Sequence, residues 1–336
     1  MDFFTHLVVS VAIASTGQRD EDNQRAFIIG GIAPDFDVLA SWLPILWPNV
    51  YFLQHRGLFH TIFFAPVVAA ALIGLSGYLG RVSEKKLIQT VSQRIATPLT
   101  SRSIMAGLFG SMEHLLMDWI SVRGVVLFYP LDSTRYSLSV ISVVDPVITL
   151  LSTAIVILWL YGQVKESFTF SFPRFVKFSQ RTSVLFVCLV LCYGALQVYT
   201  LTTQSPTSST PALLPIYRWI LHDESEHVTI QIVNQLSQDV EKTYSYPILT
   251  FNRTLWTEEM IETVIEAAKD TLDYKALEFQ VDPESRLVFA IEFTEDEGNW
   301  EVVITNVLQD AQRRYYGLFG GSFFENEITI SVQLDS

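Results

Sequence analysis

Four short stretches of the chain carry side chains of the kinds that bind divalent cations. In APDFD, Asp35 and Asp37 lie two apart after a proline, so in an extended segment both carboxylates point the same way. HRGLFH offers His55 and His60 with Arg56 between them, and a turn leading into a helix would bring both imidazoles to one place. HLLMD sets His114 and Asp118 four apart, hence one turn apart on a single helix face, a common way to present two ligands from a rigid element. Glu113 is rotated about 100° from His114 and either supports the same site or packs elsewhere. His6 adds a fourth imidazole, and the planar fork of Arg56 suits an anion, most naturally a phosphate. Such a set could hold a metal that activates water.

The elements that must position these groups are apolar. Half of the chain, 49 %, is hydrophobic, and its mean hydropathy is +0.31, high for a soluble protein and modest for a transporter. A helix needs about 20 apolar residues to cross a bilayer. Four segments are candidates: 57–80, 103–120, 138–162 and 182–203. Residues 38–54, VLASWLPILWPNVYFLQ, are apolar too, but Pro44 and Pro48 would break a straight span, so re-entrant or interfacial packing is expected. The loops 81–102 and 163–181 hold most of the basic residues and are expected inside the cytoplasm. With four alternating crossings, His55, His60, His114, Asp118 and Asp145 then converge near the outer face. Ionisable groups beside lipid are costly and usually paired or functional, and one divalent ion would satisfy imidazoles and carboxylates together. Cys188 and Cys192, four apart in an apolar run, form no metal or redox motif.

Charge divides the molecule near residue 204. The first 204 residues carry 14 Lys and Arg against 12 Asp and Glu, and the remainder 8 against 23, so the formal net charge of −13 belongs to the back half. That acidity argues against nucleic acid as a partner. After a polar linker at 205–211, residues 212–336 read as a small α+β domain outside the cytoplasm. EITISVQL alternates with Ile328, Ile330, Val332 and Leu334 on one face, and RLVFAIEF puts Leu287, Phe289, Ile291 and Phe293 on one side, both as half-buried strands. TEEMIETVIEAAKDTLDY has a Thr257 cap and Ile261, Val264, Ile265, Ala268 and Leu272 at helical spacing, predicting one amphipathic helix. His222 and His227 among acids read as a solvated turn. The fold expected is thus an all-α N-terminal domain, 1–204, with about four transmembrane helices, plus an extracytoplasmic α+β domain.

The ordered set of an early His6, then GGIAPDFD, HRGLFHT and GSMEHLLMD, resembles the prokaryotic membrane-bound metal-dependent hydrolases, a group also labelled LexA-binding inner-membrane hydrolases. The resemblance covers roughly residues 1–165. Carried over position by position, it implies His6, Asp35, Asp37, His55, His60, His114 and Asp118 as metal-site residues, with Asp145 of SVVDP as a further acidic position, and a location in the cell's inner membrane. Zinc-dependent phospholipases and single-strand nucleases use the same ligand types. By that analogy one to three divalent ions, Zn2+ first among them, would activate water toward a phosphoester, with Asp35 or Asp37 bridging or orienting and Arg56 steadying the phosphate. A site at the outer leaflet makes a lipid head group or lipid-linked phosphate the expected substrate. The alternative is a non-catalytic membrane protein stapled by a structural metal, its acidic domain binding a protein partner. A carrier is disfavoured, because four spans without an inverted repeat are few for a transport core.

Overall fold

The computed structural model describes residues 2–17, 20–82, 96–142, 145–165, 172–204, 209–212, 217–235, 237–252, 254–281, 283, 285–294, 299–316 and 327–333. Its contacts define two compact units, Met1–Leu43 with Leu53–Tyr199, and Pro44–Phe52 with Thr200–Ser336. Most of the expected linker, residues 205–208, lies outside the described residues, as do Lys85, Lys86 and Arg94 of the expected cytoplasmic loop and Leu334 of the last strand.

The first unit is helical: α1 (Phe3–Gly17), α2 (Glu21–Ile32), α3 (Ala65–Val82), α4 (Ser101–Ile120), α5 (Pro146–Lys165) and α6 (Phe172–Gln204). Between α2 and α3 come 3₁₀ turns, Pro34–Leu39 and Leu58–His60 among them. Local chemistry sets the boundaries. Thr100 and Ser103 form a reciprocal capping box at the start of α4, Thr100 Oγ1 accepting from Ser103 N at 3.1 Å and Ser103 Oγ from Thr100 N at 2.8 Å. Thr61 Oγ1 accepts from Phe64 N at 3.1 Å just before α3. Glycines then let two helices touch: a Cβ on Gly30 of α2 would fall 2.0 Å from the Gly107 carbonyl oxygen of α4, and one on Gly110 2.1 Å from that of Phe27. Here α2 and α4 pack backbone against backbone.

The expected spans need correction. Among the described residues no single helix is long and apolar enough to cross a membrane, although the pair Pro48–His60 and Ala65–Gly80, bent by 82°, passes that test together. The segment 57–80 is not one helix, because Leu58–His60 forms a 3₁₀ turn and α3 begins only at Ala65, with Pro66 accommodated in its first turn. The segment 138–162 likewise becomes helical only at Pro146, whose fixed φ suits a first helical position. Residues 101–120 and 172–204 are helical throughout.

The second unit is α+β. One sheet runs β1 (Ser209–Pro211), β2 (Tyr217–Asp223), β3 (His227–Asn234), β4 (Val240–Pro247) and is antiparallel throughout. The other runs β5 (Leu249–Thr250), β6 (Leu287–Thr294), β7 (Asn299–Asn306), β8 (Glu327–Val332), antiparallel except for the parallel β5–β6 pair. Leu287, Phe289, Ile291 and Phe293 share a core with α7 (Glu258–Lys269) and α8 (Leu272–Glu278), as the alternation predicts, while Val288 on the opposite face joins the core beneath α9 (Val307–Tyr316). The single helix expected over 257–274 is two: Thr271 Oγ1 accepts from Tyr274 N at 3.3 Å and caps a new helix, leaving Leu272 exposed. His222 and His227 sit on the strands flanking the β2–β3 turn.

Candidate metal centre

Four parts of the first unit meet at one buried point. α1 supplies His6, the 3₁₀ turn Pro34–Leu39 supplies Asp35 and Asp37, and α4 supplies His114 and Asp118. His55, Arg56 and His60 come from the turns before α3. His6, Arg56, His60, His114 and Asp118 are wholly buried, while the His55 side chain keeps 31 % of its surface exposed. By mutual reach of ligand atoms within 4.8 Å they form two groups, His6 with His114 and Asp118, and Asp35 with His55 and His60.

The two groups face each other across the centre. His60 Nε2 lies 3.1 Å from His114 Nε2. Asp35 Oδ1 is 3.5 Å from each of these nitrogens, and Asp118 Oδ2 is 3.4 Å from His60 Nε2 and 3.5 Å from His114 Nε2. A tetrahedral ion with ligands at about 2.0–2.1 Å places its donor atoms about 3.3 Å apart, and these five distances among the four atoms match that spacing. The donor chemistry fits as well. Both oxygens of Asp35 and His6 Nδ1 are buried without a hydrogen-bond partner among the described residues, while His6 Nε2 lies 3.3 Å from Asp118 Oδ1, and a cation would relieve the cost of the unpartnered atoms.

Surrounding contacts fix which atoms face inward. His114 Nδ1 lies 2.7 Å from the Gly31 carbonyl, which can only accept, so Nδ1 carries the proton and Nε2 offers its lone pair. Gly31 reaches His114 because of the glycine packing of α2 on α4. Asp37 does the same for the other two imidazoles: Oδ1 lies 2.8 Å from His55 Nδ1, and Oδ2 lies 3.0 Å from His60 Nδ1 while accepting from Arg56 N at 2.9 Å. His60 Nε2 and His114 Nε2 therefore face each other at 3.1 Å, a contact that is satisfied either by a proton on one of the two rings or by a cation between them. Burial raises the Asp37 carboxyl, but His60 and then His55 outweigh it and hold it down to about 2.

Three of the residues singled out from the sequence are engaged differently. Asp37 has both oxygens committed to orienting histidines and a backbone amide, a supporting position around the first shell. Arg56 is engaged within the protein: its Nη2 lies 2.7 Å from Asp118 Oδ1 and its Nη1 donates to Ser121 Oγ at 2.7 Å. Its backbone is left-handed, φ 64°, which points the Arg56 amide at Asp37. Asp145 belongs to neither ligand group. It caps α5 through Oδ1, accepting from Val147 N at 2.9 Å and Ile148 N at 3.1 Å, and takes a 2.6 Å hydrogen bond from Tyr193 of α6 on Oδ2. The Asp-Pro dipeptide is a helix-start signal, and that reading accounts for it. Glu113 accepts from Ser10 Oγ at 2.8 Å, tying α4 to α1 beside His114. Ser121 and the Gly31 carbonyl were not foreseen, because a serine past a helix end and a backbone oxygen leave no residue-type signature.

The helical unit and its buried His/Asp centre define a membrane-associated protein with a candidate metal site. The chain belongs to the YdjM inner membrane protein family, whose model matches residues 1–203. No curated protein and no solved structure matches it.

Proposed function

We propose that the chain is a metal-dependent hydrolase of the inner membrane that cleaves a phosphoester, a lipid head group or a lipid-linked phosphate. The observation that carries this reading is the set of His60, His114, Asp35 and Asp118 atoms whose mutual distances of 3.1–3.5 Å match the donor spacing of a tetrahedral Zn2+, with both Asp35 oxygens buried and without a hydrogen-bond partner among the described residues. A divalent ion held there would supply acidified water and charge stabilisation for phosphoryl oxygens. Asp35, at the less buried edge, is the carboxylate best situated to orient an incoming group, while Asp37 holds the imidazoles and Arg56 holds Asp118. His55, partly exposed, marks the side from which a substrate reaches the centre. Several crossings of the membrane with the acidic unit outside remain part of this proposal, supported by the basic residues in the loops 81–102 and 163–181.

A second reading has its own support. Four protein donors close a tetrahedron, and closed shells are the mark of structural zinc, whereas catalytic sites keep an open position. The ion would then staple α1, α4 and the two turns, leaving the acidic unit to bind a protein partner. Metal analysis of the purified chain beside a His114→Ala/Asp118→Ala variant, followed by a generic phosphodiester assay on both, separates the readings. Metal with turnover in the parent alone supports the hydrolase, and metal without turnover supports the staple. Full metal in the variant overturns both.

A further inference from the structure

The turn that brings Asp35 and Asp37 inward shows a different material on its outside. Phe36 is 37 % exposed, Val38 58 %, Leu39 68 % and Trp42 51 %, and Phe63 and Phe64 before α3 are exposed too. From Val38 to Gln54 the sequence has no charged residue. In water so much contiguous apolar surface would be a liability.

The polar groups of the segment show which medium it is built for. The single donor of the Trp42 indole is spent on the Leu39 carbonyl at 2.7 Å, and the Ser41 hydroxyl donates to the Val38 carbonyl at 2.9 Å. The backbone closes on itself likewise, Ala40 N on the Asp37 carbonyl at 2.7 Å and Leu43 N on that of Ala40 at 2.9 Å. Irregular backbone can meet lipid only when its polar groups are satisfied internally, and surface loops in water rarely need such economy. Exposed apolar residues recur in the same unit on α3, α5 and α6, Val67, Leu150, Leu185 and Leu191 among them, in a chain whose family is of the inner membrane.

We propose that Pro34–Trp42 is a membrane-contact strap, its outer face of Phe36, Val38, Leu39 and Trp42 lying among lipid chains at the bilayer interface while its inner face delivers Asp35 and Asp37 to the buried centre. The partner is the bilayer itself. The strap thereby sets the buried centre one chain thickness from lipid. The strap's contact with lipid stands whether or not the centre turns over a substrate.

The test uses the full chain with Cys188→Ser and Cys192→Ser, carrying Leu39→Cys labelled with the fluorophore NBD, in vesicles of phosphatidylethanolamine and phosphatidylglycerol. Glu258→Cys, on the exposed face of α7, is the water-facing control. Blue-shifted emission at position 39, with quenching by doxyl-labelled lipid several-fold stronger and by iodide several-fold weaker than at 258, is the expected result. Iodide quenching equal to the control overturns the proposal, and so does shielding from both quenchers, which would mean that protein covers the strap. Val38→Cys, read the same way, replaces Leu39→Cys should the latter fail to give a monodisperse protein.

Discussion

The two units of this chain differ in what they bury. In the first, imidazoles, carboxylates and a guanidinium share the interior with an apolar cluster of Ala14, Ala26, Phe27, Ile73 and Ala106, while leucines and valines of α3, α5 and α6 face outward. In the second, Ile230, Ile232, Val302 and Ile304 are fully buried, and of the charged groups Arg218 and Asp310 join them inside. The contrast teaches that the polar centre of the first unit is held by pairing and, in the proposed holo form, by an ion, whereas the second unit rests mainly on buried apolar area.

The sharpest way to break that contrast is to remove one charge from the polar core. Asp118→Ala strands the buried Arg56 guanidinium, and the first unit should lose about 3–5 kcal/mol together with its metal. Thermal unfolding and metal content of the purified protein check this. Adding Arg56→Met should restore much of the stability and none of the metal. The matching cut in the apolar core is Ile304→Ala, which should destabilise the second unit by about 2–5 kcal/mol. Hydrogen exchange should register the loss in β6 to β8, with metal content unchanged.

A gentler substitution separates orientation from ligation. Asp37→Asn replaces one acceptor with a donor opposite the imidazole Nδ1 atoms, and metal affinity measured by chelator competition should fall about 10–100-fold with little change in unfolding. The smallest effect is expected from Tyr246→Phe. It removes the 2.9 Å hydrogen bond to Asp310, which keeps Arg314 Nε at 2.6 Å, so the cost should be about 1 kcal/mol. Burial, then Asp310, push the Tyr246 phenol above its ordinary value. Its contribution is therefore complete below a pH of about 10 and declines as pH rises through the shifted value, so unfolding followed from about pH 9 upward should show an alkaline loss that the variant lacks.

Legibility in the sequence followed the range of the forces involved. His114 and Asp118 were readable because helical spacing alone puts them on one face, and the strands at 287–294 and 327–332 because alternation does. Asp35 and Asp37 were recognised as chemical, yet their division of labour was hidden: expected to point the same way from an extended segment, they occupy a 3₁₀ turn and serve different partners. Arg56 looked like an anion clamp because its partner Asp118 lies 62 positions away, beyond any spacing rule. Asp145 was gathered with the site by its place near an expected outer face, when the Pro146 beside it already marked a helix start. The helix breaks at Leu58–Phe64 and at Thr271 come from hydroxyl caps, which compete with apolar patterning and won.

The left-handed backbone of Arg56 imposes two demands that no other residue type meets together. Its φ of 64° favours glycine, at a strain of about 1–3 kcal/mol for anything larger, while the pocket around Asp118 and Ser121 requires a buried guanidinium. A glycine there would relax the main chain and leave a carboxylate without its cation, and a lysine would keep charge but forgo the fork. Position 56 works as a clasp, fastening the turn that aims the histidines to the helix that bears the acid, so the parts of the centre seat together or not at all.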